Sequence, residues 1–205
     1  MKAGDKIKIN PQLTDNIDKI RKKWNEDQSI CIDNFLIESA ATELYQFLCY
    51  DMPEDWWHTS FFSAGSFHEG TEPVNVRRLP TNLKHELYLK QDLYYNAVSH
   101  NYFSYVEACS CYVCDYIRWF NGGEPVQFIA DVTGLELSDV HGLMATRFKS
   151  GHFLSPHHDN KNGQVGMVYH LSHNWRPEFG GLLHILEDDF RTITKVIQPS
   201  FNTLH

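Results

Sequence analysis

The chain has 205 residues, 42% hydrophobic and 21% charged, an ordinary globular balance that excludes disorder, collagen and coiled coil and suits one domain. A net charge of −8 lacks the basic footprint that a nucleic acid requires, so no nucleic-acid partner is expected. No apolar run approaches the roughly 20 residues that span a bilayer, and the opening MKAGDKIKIN has no apolar signal core. No membrane partner and a cytoplasmic location are therefore expected.

Leu13, Ile17, Ile20 and Trp24 recur at helical spacing behind Thr14 and Asp15 as start signals, predicting a first helix. Ser29–Ile32 reads as a short strand, and Asp33 and Asn34 open a second helix with Ala41, Leu44, Tyr45 and Leu48 on its inner face. Residues 56–80 mix aromatics with Gly and Pro, which predicts short strands and loops; the aromatics among them fit a substrate groove or the core. Residues 83–120 read as one helix or two, ended by Asn121-Gly122-Gly123, and a short helix over 125–133 closes at Gly134. From Val140 the texture changes to strands, predicted at 142–149, 152–158, 164–172, 181–187, 192–197 and 201–205, with Asn162-Gly163 as a hairpin signal. Helices followed by short, evenly spaced strands predict an α+β domain with a sandwich or barrel core.

Five cysteines, an odd count, argue against a disulfide framework. Cys109, Cys111 and Cys114 lie in the segment read as helix. Cys111 and Cys114 share a face there while Cys109 points elsewhere. Small buried hydrophobes are the expected reading, since a closed zinc site needs four ligands.

The chemistry-bearing segment is Gly151-His-Phe-Leu-Ser-Pro-His157-His158-Asp159. On a strand, His157 and Asp159 project to one face and supply two arms of a 2-His-1-carboxylate triad, the ligand set that holds Fe(II) with open positions for co-substrate and O2. His158 faces the other way, toward the surface or behind the site. Arg147 and Lys149 share a face by alternation and read as solvated charges.

Four segments, FKSGHFLSPHHDNKNG, MVYHLSHNW, GGLLHILED and IQPSFNTL, with CIDNFLIESAATELYQFL near the start, resemble the prolyl-hydroxylase-like branch of the Fe(II)/2-oxoglutarate dioxygenases. The resemblance implies a double-stranded β-helix (a cupin-like jelly roll) with N-terminal supporting helices. It makes His157 and Asp159 the metal ligands, Fe(II) the metal, 2-oxoglutarate the co-substrate and ascorbate an accessory. The implied reaction couples 2-oxoglutarate decarboxylation to C–H hydroxylation of a prolyl or other residue in a protein or peptide. A free amino acid or small metabolite is the alternative substrate, and a non-catalytic jelly-roll module the alternative role. Where relatives carry two tyrosines this chain has Phe148, which cannot donate a hydrogen bond, and His170, which can and is assigned to 2-oxoglutarate. Tyr169 alternates to the core side. The family's second metal histidine and its basic co-substrate anchor lie beyond P-x-F-N-x-L. Residues 1–205 therefore read as a single dioxygenase domain lacking its last C-terminal strands, with neither His184 nor His205 at a ligand position.

Overall fold

The computed structural model describes residues 7–52, 54, 57–63, 66–69, 88–93, 112–138, 140, 145–158 and 163–205. The first helical segment is two helices, α1 (Pro11–Asp15) and α2 (Ile17–Asp27). The start lies earlier than Thr14 because Asn10 caps it, its side chain accepting from the Gln12 amide at 3.1 Å with Pro11 at the first helical position. Leu13, Ile17, Ile20 and Trp24 are half-buried against the core as their spacing requires. Strand β1 (Ile32–Asp33) follows, then α3 (Glu38–Gln46), whose last turn widens over Phe47–Asp51. Ala40, Ala41 and Leu44 are its buried face.

Strands β2 (Trp57–Ser63), β3 (Ser66–Glu69) and β4 (Tyr88–Leu93) come next. The strand β4 corrects the helix expected from residue 83. Its apolar residues at 88, 89 and 93 fit a helical period, but the segment pairs antiparallel with β2 from Trp57↔Leu93 to Phe62↔Tyr88, and pairing overrides a weak local pattern. The helix begins later, as α4 (Tyr112–Asn121), followed by α5 (Glu124–Thr133). The latter has Pro125 in its first turn and Gly134 just past its end at φ 72°, its N–H reaching Ala130 O at 2.8 Å. Cys114 is buried on α4, as expected; Cys109, Cys111 and the Asn162 end of the hairpin signal lie outside the described residues.

The C-terminal strands are β5 (Thr146–Arg147), β6 (Phe153–Leu154), β7 (Tyr169–His170), β8 (Leu183–Leu186), β9 (Ile193–Ile197) and β10 (Thr203–Leu204). Each falls inside a predicted strand, but most are far shorter. They form a three-stranded sheet in the order β1-β10-β7, a five-stranded sheet β3-β2-β4-β5 with β6 also on β4, and a β8-β9 ribbon. The α+β class holds. Among the described residues, however, the expected jelly roll is not clearly formed: extended sequence alone does not make a ladder, and four of these six strands pair over only two residues.

The core lies between the helices and one face of the β1-β10-β7 sheet. Phe35 sits at its centre, with no exposed surface, edge-on to Tyr169 at 5.7 Å and Phe128 at 5.9 Å. Asn202 fastens this layer. Its side-chain oxygen accepts from the Leu36 amide at 2.9 Å and the Tyr169 hydroxyl at 2.8 Å, its NH2 donates to Leu36 O at 2.9 Å, and its own carbonyl accepts from Phe35 N. It does so at φ 57°, a region that asparagine tolerates better than most side chains.

Candidate metal and co-substrate site

The strand expected over 152–158 ends at Leu154. Pro156, two residues on, has no N–H for a ladder. His157 therefore stands on an irregular extended segment, and strand alternation is not what aims it. Asp159 lies outside the described residues.

His157 is half-buried, and its Nδ1 lies 2.8 Å from the Ser155 carbonyl. A carbonyl oxygen only accepts, so Nδ1 must carry the proton and the Nε2 lone pair becomes the ring's basic end. Metal-ligating histidines are held in this way, one nitrogen donating to a carbonyl or carboxylate and the other facing the ion. The residue thus fits a metal ligand on its own geometry. His158 is exposed and meets the Phe190 ring at 4.8 Å, in keeping with a surface position. Among the described residues no cluster of three or more His, Cys, Asp or Glu converges on one point.

His170 is on β7, in the sheet whose other face is the core. Its register partner is Thr203, and Tyr169 pairs with Leu204. Tyr169 and Leu204 face the helices, so His170 and Thr203 face away from them. His170 Nε2 is buried and has no hydrogen-bond partner, an orphan polar atom that a ligand oxygen would satisfy. Burial first, and His205 second, push its pKa down, which keeps the ring neutral. Tyr169 is in the core as expected, and burial pushes its hydroxyl's pKa far up. His157 and His170 belong to different sheets, the first following β6 and the second within β7.

Arg147 and Lys149 are not simply solvated. Both reach the Glu54 carboxylate, Lys149 at 2.9 Å, and Arg147 also lies 4.4 Å from the centre of the Trp57 ring. The Arg147 and then the Lys149 hydrogen bond hold the Glu54 carboxyl down at about 2. Trp57 is core, 8% exposed. Phe148 is half exposed and, as expected, donates nothing. The Gly180-Gly181 turn is also chemically specified. Trp175 Nε1 donates to Gly180 O at 2.9 Å, and a Cβ on Gly181, at φ 65°, would meet the indole at 3.2 Å.

Sequence reasoning missed the residues beside His170. Thr203 and His205 become its neighbours only once β10 is known to pair with β7. Until then, the sole signal is the two-residue spacing of Thr203 and His205.

No curated protein matches the chain. Among the described residues no helix is long and apolar enough to cross a membrane. Residues 143–205, the stretch that carries His157, Asp159 and His170, match the family model described as 2OG-Fe(II) oxygenase superfamily. That match supports an Fe(II)- and 2-oxoglutarate-dependent dioxygenase as the type of enzyme, with Fe(II) as metal and 2-oxoglutarate as co-substrate.

Proposed function

We propose that the chain is an Fe(II)/2-oxoglutarate-dependent hydroxylase of a prolyl or other residue in a protein or peptide. His157 and Asp159 are its metal ligands in this reading, and His170 a donor to the co-substrate. The observation that carries the metal role is the fixed tautomer of His157. The Ser155 carbonyl accepts from Nδ1–H, so in the neutral ring Nε2 is the nitrogen that can ligate a divalent ion.

Bound iron and 2-oxoglutarate would supply the oxidising chemistry, and the chain's own groups the placement. His170 offers a buried N–H direction to a carboxylate oxygen. A peptide substrate is supported by the surroundings of His157: Leu154 is 42% exposed and Phe190, against His158, is 42% exposed. Exposed apolar side chains beside a reactive segment suit a partner that brings its own apolar surface.

The test is anaerobic titration with Fe(II), then 2-oxoglutarate, of the wild type and His157→Ala. The wild type is expected to bind iron and respond to 2-oxoglutarate with a visible absorption band, and the variant to lose both. With O2 and ascorbate added, succinate should rise further with proline-containing peptides than without. Equal iron binding by the variant would overturn the assignment, and no peptide effect would overturn the substrate class.

A further inference from the structure

We propose that Arg147 and Lys149 form a docking site for an acidic side chain of the peptide substrate, and that Glu54 is the carboxylate that occupies the site when no peptide is bound. That the partner is the substrate rests on the function proposed above; the site itself rests on the register of β5 and β6.

The two strands run along β4 as one interrupted strand. Arg147 stands opposite Gln91, and Phe153 opposite Leu89. Arg147 and Phe153 are six positions apart and their partners only two, so four extra residues leave the ladder between them. The His152 amide donates to the Lys149 carbonyl at 2.9 Å, and Gly151, at φ 85°, closes the loop. A bulge of this kind re-aims side chains. In an unbroken strand Lys149 would fall in the ladder opposite Leu89. Here its Nζ instead reaches Glu54 Oε1 at 2.9 Å, the same oxygen that Arg147 contacts. After the bulge the chain passes through β6 and reaches His157 three residues beyond, so the two cations stand on the strand that leads into the metal-binding segment.

The site is built to exchange its anion. Arg147 is the fixed arm. Its guanidinium lies 4.4 Å from the centre of the buried Trp57 ring, which holds the planar fork in place before a ligand arrives. Lys149 is the mobile arm, its side chain 49% exposed. The Glu54 side chain is 69% exposed, and so well solvated a pair contributes little, so an incoming carboxylate displaces it at small cost. Two cations against one carboxylate also leave an excess positive charge, in a chain whose net charge is −8. Complementary potentials steer a partner and fix its register. An acidic residue flanking the target is the complement of this site, and a basic one is repelled.

The test uses the full chain and labelled proline-centred peptides that carry Glu, Gln or Lys at one flanking position, scanned along the peptide, with binding followed by fluorescence anisotropy. At low salt the best Glu peptide is expected to bind about tenfold more tightly than its Gln counterpart, and the advantage should shrink as salt is raised. Glu54→Gln should tighten the Glu peptide by about two- to fivefold and leave the Gln peptide unchanged. Lys149→Glu should abolish the preference for Glu and favour Lys at the same position, with the native near-UV spectrum retained. Equal binding of Glu and Gln peptides at every position, a Glu preference that survives Lys149→Glu, or no peptide binding at all overturns the docking site. Intact iron and 2-oxoglutarate binding beside any of these results leaves the oxygenase reading standing. A Glu preference that follows the variants, in a chain that binds no iron, keeps the docking site and overturns that reading instead.

Discussion

The two faces of the β1-β10-β7 sheet are made from alternate residues of the same few strands, yet they have opposite characters. Ile32, Tyr169 and Leu204 meet the helices through Phe35 and Phe128, and Asn202 there satisfies the Leu36 amide and carbonyl and the Tyr169 hydroxyl. Asp33, His170, Thr203 and His205 form the other face, which keeps an orphan nitrogen and two depressed imidazoles. One ladder thus carries a core face and a polar face on alternate residues, and the two should separate under mutation.

Phe35→Ala should break the first face hardest. It removes a fully buried ring and should cost about 3–5 kcal/mol in urea unfolding, with no selective effect on histidine titration. Asn202→Ala should cost about 3 kcal/mol in the same measurement. It strands the Leu36 amide and carbonyl and the Tyr169 hydroxyl in a dry site; a loss too small to resolve would show that water replaces the amide. His157→Ala should leave the urea midpoint nearly unchanged. Its iron affinity, read by competition with a chelator, should fall by more than the roughly ten- to hundredfold that loss of a mere supporting partner costs.

The polar face should reveal itself by pH. Both imidazoles have depressed pKa values in the folded state, so the unfolded chain binds more protons. Their contribution is fully present above the unfolded value of about 6.5 and is lost as pH falls through the folded values. The urea midpoint should therefore decline below about pH 6.5, and less so in His170→Gln; an identical decline would assign the effect elsewhere. The smallest effect belongs to Glu54→Gln. The carboxylate is held at about 2 by Arg147 and Lys149, so its pairing persists above the ordinary carboxyl value of about 4.3 and fades as pH falls toward 2. It is fully solvated, so urea melts at pH 7 should not distinguish the variant.

Local signals made the helices legible. The span of α5 could be read from Gly123, Pro125 and Gly134, and the inner face of α3 from Ala41 and Leu44, because capping and period act within a few residues. The positions of the late strands were legible too, but their lengths were not, since a ladder depends on partners far away in sequence. Non-local pairing also hid β4, and Pro156 ended the strand expected to carry His157. Within the candidate site His157 was legible as a residue type. Its orientation was not, because the Ser155 carbonyl that sets it depends on a backbone turn. The side to which His170 points followed from alternation with Tyr169, but its neighbour His205 required the β7–β10 register.

The Asn202 clamp has a consequence for biogenesis. It joins Leu36 to a residue 166 positions later, and β1 has no ladder partner among the described residues except β10. At translation rates of 5–20 residues per second, the side chains around Phe35 wait roughly ten to thirty seconds before the segment that covers them has been made. During that interval the helical layer presents unfinished apolar surface on the ribosome. Such high sequence separation slows closure even afterwards. The nascent chain is thus expected to depend on chaperones until residues 202–204 have emerged.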